Sequence, residues 1–173
     1  MPDWFLRYFP KPSYIVGTAP ELYQFLQQQP PDSLVASLSL EANNLPTFAQ
    51  RPILLAREYS LPFHTKYYTQ IRERAIDLIT AQYSPNISEV RQFIQKYGVD
   101  LWLLDKSAFD PNYFEEMEAA NRRWINLYQP AAKEAISRLE QGEVPALSNL
   151  VKTCAVFEGG DLVMLKAECI VKN

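Results

Sequence analysis

Arginine and tyrosine side chains cluster around the only histidine of the chain, His64. Arginine forks and tyrosine rings suit the recognition of sugar and phosphate groups, because they combine fixed donors with flat faces. The cluster follows an apolar run at 52–56 that we predict as a buried strand, and ligands in open α/β sheets bind beyond the carboxyl ends of strands. We therefore predict a ligand site. Its candidate residues are Arg51, Arg57, Glu58, His64, Tyr67, Tyr68 and, at the end of a later strand, Asp105.

The same cluster gives little support for catalysis. A Ser–His–Asp or Cys–His arrangement would have to use His64, and the sequence has neither a G-x-S-x-G motif nor a reactive-cysteine context. A single histidine after a Pro-Phe turn is more often a polar loop residue, so no catalytic residue is predicted. An ion-paired loop that caps the sheet edge explains the same arginines and carboxylates, and both interpretations stay open.

Metal, cofactor and nucleic-acid sites are not predicted. One histidine and two cysteines do not supply a zinc ligand set, and strand alternation places Asp100 and Asp105 on opposite faces. The five glycines form neither G-x-G-x-x-G nor a phosphate-binding loop. The net charge is −3, from 17 Lys and Arg against 20 Asp and Glu, and the cations are scattered. A nucleic-acid binder would show a clustered positive surface.

The elements that must position these residues alternate between strands and helices. A helix that passes through Gly98 into a buried strand is typical of a crossover unit, which favours a parallel strand pair. The sequence therefore predicts an α/β fold with a mixed, partly parallel sheet flanked by helices. The predicted strands lie near 33–38, 52–56 and 99–104, and the clearest helices at 65–82 and 87–97.

The end of the chain predicts an antiparallel hairpin. A two-residue turn signal, Gly159-Gly160, joins predicted strands at 151–158 and 161–171. With the register set by this turn, Cys154 and Cys169 lie about four residues apart across the hairpin, too far for a disulfide. We therefore expect both cysteines to be small core residues.

Length and composition predict one α/β domain at 13–173, preceded by an N-terminal arm at 1–12. The 173 residues are enough to bury a core without a metal or disulfide. In the arm, Trp4 and Tyr8 lie close to Arg7, as at a membrane–water interface. The arm either packs on the body or is a juxtamembrane stub. No window reaches ~18 consecutive apolar residues, so no transmembrane helix is predicted.

Several runs of the chain resemble a known class of proteins. They are Asn44-Leu-Pro-Thr-Phe-Ala-Gln-Arg51, Arg57-Glu58-Tyr59 and Tyr97-Gly-Val-Asp-Leu-Trp-Leu-Leu-Asp105. The runs resemble the soluble C-terminal domain of cyanobacterial multi-spanning membrane proteins that are likened to lipid-sugar-dependent glycosyltransferases. The resemblance extends from Leu22 to Tyr113, about half of the chain.

The resemblance implies an accessory domain, because the catalytic carboxylates of such proteins lie in loops between membrane helices. It implies covalent continuation into those helices, an extracytoplasmic location, and no catalytic residue to carry over. The domain would contact a substrate, a partner or the membrane surface, and the ligand considered is a sugar or lipid-linked sugar. Two alternatives come from the residues themselves. One is a stand-alone small-molecule-binding protein or enzyme that uses the loop around His64, and the other is a protein-interaction module that uses the helices at 113–140.

Overall fold

A mixed four-stranded sheet forms the centre of the computed structural model, which describes residues 17–60 and 65–173. Its strand order is β1-β2-β4-β3. β1 and β2 are parallel, whereas β4 is antiparallel to both of its neighbours. The predicted α/β fold with a partly parallel sheet is therefore confirmed. The strands are β1 (Val35–Ser37), β2 (Leu101–Asp105), β3 (Ala155–Gly159) and β4 (Leu162–Lys166).

Helices flank the sheet along the described chain. They are α1 (Pro20–Gln27), α2 (Thr65–Tyr83), α3 (Ile87–Tyr97), α4 (Tyr113–Glu116), α5 (Ala119–Ile125), α6 (Ala131–Glu140), α7 (Val151–Cys154) and α8 (Ala167–Lys172). Short 3₁₀ helices lie at Leu40–Asn43, Arg57–Tyr59 and Ala146–Leu150, and a π-helical turn at Leu45–Ala49. None of the helices described at 17–60 and 65–173 combines the length and apolar character that crossing a bilayer requires.

Two hydrophobic cores lie on opposite faces of the sheet, because side chains alternate along each strand. In β2, Trp102 and Leu104 belong to a core that includes α2, α3 and α6. Leu101 and Leu103 belong to a second core with α1 and the π-helical turn. β2 is thus buried on both faces, which explains its nearly continuous apolar run.

Local signals fix α3 as the sequence predicts. Asn86 caps its first turn by accepting a hydrogen bond from the Ser88 N–H at 3.0 Å. Gly98 ends the helix in the left-handed conformation, with φ of 65°, and its N–H donates to Ile94. The chain then enters β2 directly.

The predicted strand at 52–56 is wrong. An isolated parallel bridge between Val35 and Ile53 is the pairing found there. The main chain makes two hydrogen bonds at this point, from Val35 N to Pro52 O and from Leu54 N to Val35 O. Pro52 has no N–H, which stops the ladder toward the start of β1, and a bend at Leu54 ends it directly after the bridge.

The predicted hairpin is correct in kind but wrong in length and register. Gly159 pairs with Leu162, so the turn lies at Gly160-Asp161, one residue later than predicted. The predicted strands extended through residues that form α7 and α8 instead.

The expectation that the two cysteines stay unbonded is also wrong. Cys154 ends α7, Cys169 lies in α8, and the two form a disulfide with a Cα–Cα distance of 5.5 Å. The prediction failed because it extended the pairing register of the hairpin to residues that form helical turns, and these turns bring the two side chains together.

The helices at 113–140 pack inward. Trp124 is buried in the core that includes α2, α3 and α6, and Met117 is partly buried against the same core. An interaction module would need these side chains on an exposed face, so their burial counts against that alternative.

Candidate functional site

A cleft of about 540 Å³ opens at the edge of the sheet where β1, β2 and β3 end. These three strands point in the same direction, so their carboxyl ends meet at one edge. This edge is where open α/β sheets bind ligands. We call this cavity the first cleft. Its polar and aromatic lining includes the side chains of Glu21, Ser39, Glu41, Asp105, Phe157 and Asp161.

Asp105 is held in the first cleft by two hydroxyl donors. Ser39 Oγ donates to Oδ1 at 2.6 Å, and Tyr113 Oη donates to Oδ2 at 2.5 Å. Burial, together with the negative charge of Asp105, raises the pKa of Tyr113, so its hydroxyl stays protonated and remains a donor. Asp105 is therefore a carboxylate of fixed orientation.

Glu41 is a second fixed carboxylate, and only 8% of its surface is exposed. It accepts hydrogen bonds from Thr18 Oγ1 at 2.8 Å, from Asn44 Nδ2 at 3.1 Å and from the Tyr23 hydroxyl. Burial first, and then the hydrogen bond to Glu41, raise the pKa of Tyr23 to about 12. The tyrosine is consequently a neutral donor over the physiological pH range.

The first cleft presents acceptors and an aromatic ring. Four carboxylates line it, and none of the lining residues in the described part of the chain is Lys, Arg or His. Glu21 and Asp161 lie on exposed positions, and Phe157 is half-buried. Within the described ranges, no group of three or more His, Cys, Asp or Glu side chains is arranged to hold a metal ion. The arrangement suits a ligand that donates hydrogen bonds.

Of the predicted site residues, Asp105 lies in the first cleft, whereas Arg51 is buried elsewhere. Arg51 donates to the carbonyl oxygens of Gln27 and Gln29 at the end of α1, and to that of Gln50. None of its hydrogen bonds within the described chain reaches another predicted site residue. Its observed contacts hold α1 against the π-helical turn.

The remaining predicted residues lie around the 3₁₀ helix at Arg57–Tyr59. Arg57 pairs with Glu58 at 2.8 Å and with Glu118 at 3.2 Å. The Tyr67 hydroxyl donates to the Tyr59 carbonyl at 2.6 Å. Tyr68 is half-buried on α2, and His64 lies outside the described residues. The structure thus brings Arg57 and Glu58 together, as an ion pair.

Ser39, Glu41 and Asp161 are cleft residues that the sequence reasoning missed. Ser39 and Glu41 follow the first predicted strand just as Asp105 ends the third. We looked for ligand-binding residues beyond the carboxyl end of 52–56, which is not a strand. The same search beyond the carboxyl end of 33–38 would have found Ser39 and Glu41.

Comparisons with known proteins add a distant likeness in fold. No protein-family model matches the chain, and no curated protein matches it in sequence. Among solved structures, the chain is similar to the crystal structure of the C-terminal globular domain of an oligosaccharyltransferase from Archaeoglobus fulgidus. The match covers 84% of this chain and 94% of that chain, with 11% sequence identity and a TM-score of 0.45. A likeness at this level carries no argument about activity. The neighbour is archaeal, so it does not support the cyanobacterial part of the resemblance.

Proposed function

We propose that the chain is a non-catalytic binding domain on the outer side of a membrane, attached to a larger glycosyltransferase-like protein. In this proposal, the first cleft holds the hydroxyl-bearing part of a sugar substrate. The observation that carries the proposal is the pair of pre-oriented carboxylates, Asp105 and Glu41, at the carboxyl edge of the sheet. The resemblance of the runs between Leu22 and Tyr113 to such proteins agrees with it.

The chemistry of the first cleft favours a ligand that donates hydrogen bonds and carries no negative charge. Carboxylates that are already oriented lose little entropy when a hydroxyl group binds. Phe157 offers a flat apolar face beside them, and ligand sites combine such faces with a few placed polar groups. A phosphate would instead meet four carboxylates with no cation among the described lining residues.

The hydrogen bonds of the first cleft support binding rather than turnover. Each oxygen of Asp105 already accepts one hydrogen bond from a fixed donor and keeps a second lone pair that can accept from a ligand hydroxyl. Ser39 donates to Asp105 and accepts from the Glu41 N–H at 3.3 Å, which makes it the cap of the following 3₁₀ helix.

The disulfide supports the location. Structural disulfides persist in oxidising compartments and are rare in the cytosol. Cys154 and Cys169 are bonded, and neither cysteine of the chain is free. An extracytoplasmic position therefore fits the chemistry of the chain.

Binding is tested by titrating ¹⁵N-labelled protein with glucose, galactose, mannose and N-acetylglucosamine. We expect amide shifts at Ser39, Asp105 and 159–161 with at least one of these sugars. Gly159→Ala should abolish them, because the added Cβ would lie 2.7 Å from Phe157 Cζ and 3.3 Å from Glu21 Oε2. Glu140→Gln, an exposed carboxylate on α6 outside the first cleft, is the control. Shifts that survive Gly159→Ala in a folded variant, or no shifts with any sugar, would overturn the proposal.

Membrane attachment is tested separately, by fractionating source cells and blotting with an antibody to this domain. We expect a band far above 20.0 kDa in the membrane fraction. We also expect that protease added to intact spheroplasts removes it. A band of the chain's own mass in the soluble fraction would contradict the attachment.

A further inference from the structure

A second cleft of about 300 Å³ adjoins the first. The two share Leu40, Asp105 and Asp161 as lining residues, so Asp105 lies at their common boundary. Beyond that boundary the second cleft runs along α4 and α5, where Tyr113 and Asn121 form part of its wall. The two clefts together form one groove, with Asp105 between its halves.

Asn121 is a buried polar side chain in the wall of the second cleft, and only 3% of its surface is exposed. Its Oδ1 has no hydrogen-bond partner among the described residues. Its Nδ2 donates to the Leu38 carbonyl over a long 3.4 Å and to Met117 Sδ at 3.4 Å, an ordinary length for a sulfur acceptor. Buried amide oxygens are normally paired, because an unpaired acceptor is costly. The Asn121 side chain therefore carries an unpaired acceptor in the wall of the second cleft.

We propose that Asn121 forms a second binding subsite, and that the ligand is a chain of at least two hydroxyl-bearing units that extends across Asp105. This inference rests on the proposed function of the first cleft. The second cleft is rich in acceptors, as the first is, since Glu116 and Glu118 also line it. Glu118 already pairs with Arg57 at 3.2 Å and Glu116 is exposed, so Asn121 supplies the buried unpaired acceptor of this cleft among the described residues.

A ligand that spans both clefts gains affinity from their shared boundary. When one unit occupies the first cleft, the linked unit reaches the second cleft as an intramolecular event, with a high effective concentration. Because the two clefts share Asp105, the linkage between units needs to cross only one side chain. A free monosaccharide gains nothing from the second cleft.

The test compares monosaccharides with their trisaccharides by isothermal titration calorimetry and ¹⁵N spectra. The pairs are glucose with maltotriose, mannose with mannotriose, and N-acetylglucosamine with chitotriose. We expect one trisaccharide to bind at least tenfold tighter than its monosaccharide. It should also shift the Asn121 side-chain amide signals, which the monosaccharide leaves in place. Asn121→Ala should bring the ratio of trisaccharide affinity to monosaccharide affinity to about one. Asn126 is an exposed asparagine at the end of α5, and Asn126→Ala should leave this ratio unchanged.

The outcomes separate this inference from the proposed function. A monosaccharide that binds the first cleft while its trisaccharide binds no tighter refutes the second subsite alone. The absence of binding by all six sugars, and by the galactose of the first test, refutes both. The amide shifts of the wild-type protein keep the test valid if Asn121→Ala fails to fold. Spermidine that competes with the trisaccharide in the same titration would assign the groove to a cationic chain and overturn the hydroxyl-bearing ligand.

Discussion

Arg51 is a cation with 7% of its surface exposed, and its hydrogen bonds within the described chain all go to main-chain carbonyls. It donates to Gln27 O at 2.8 Å, Gln29 O at 2.5 Å and Gln50 O at 2.9 Å. The first two carbonyls lie at the end of α1, where the helix dipole favours a positive charge. A hydrogen bond that involves a charged group contributes about 1.5–3 kcal/mol. The guanidinium also carries a desolvation cost, because its Nε has no partner in the described structure.

Arg51→Met should therefore lower the free energy of unfolding by about 3–5 kcal/mol, after that cost is subtracted from three short hydrogen bonds. Urea unfolding followed by circular dichroism measures the change. With a slope of about 2 kcal/mol per molar urea, the midpoint should fall by roughly 2 M. Arg51→Lys should recover only part of the loss, because one ammonium cannot reach three carbonyls in the fork geometry of arginine.

Arg57→Met is the matched control, since it removes the same side chain from a more exposed position. The Arg57 side chain is 25% exposed, and its partners Glu58 and Glu118 are more than half exposed. Ion pairs of this kind contribute about 0–1 kcal/mol. Equal losses for the two variants would refute the reasoning, and they would mean that Arg51 does not hold α1 against the π-helical turn.

Three further predictions concern the rest of the fold. Replacing Cys154 and Cys169 by alanine should lower the free energy of unfolding by about 3 kcal/mol, as expected for a sequence separation of 15 residues, and dithiothreitol should reproduce the loss only in the wild-type protein. Trp102→Phe should lower the free energy of unfolding by about 2–3 kcal/mol, because Gln82 Oε1 loses a buried donor at 3.2 Å. Chemical denaturation measures the change, and a loss near zero would contradict the argument. The pKa of Tyr23 is raised from 10.0 to about 12, so its contribution to stability is present below pH 10 and is lost as the pH rises toward 12. Tyr23→Phe should show a shallower fall in stability over that range, and an unchanged slope would count against the burial argument.

Elements whose structure is determined by their own local sequence, and not by neighbouring elements, could be predicted from the sequence. α3 and β2 follow from helical periodicity, the left-handed stop at Gly98 and an apolar run. The segment at 52–56 could not, because whether it forms a strand depends on how far β1 extends beside it. The cysteine pairing also depended on where the hairpin gives way to α7 and α8.

The residues of the candidate site also divide into those that a local sequence pattern predicts and those whose contacts depend on the whole fold. Asp105 was predicted because it ends a strand that the sequence marks clearly. The contact between Tyr23 and Glu41 joins side chains 18 positions apart on separate elements, and no local pattern encodes it. The positions of Arg51 and Arg57 depend in the same way on which carbonyls and carboxylates the folded chain places beside them.

The disulfide closes the β3–β4 hairpin into a covalent ring from Cys154 to Cys169. The ring contains Phe157 and the 159–162 turn region, which form one wall of the first cleft. A protease that cuts the exposed turn would therefore break one peptide bond without releasing a fragment, and α8 would stay attached to the sheet. On the outer side of a membrane, where our proposal places the domain, the wall of the first cleft would outlast a single cut in this exposed turn.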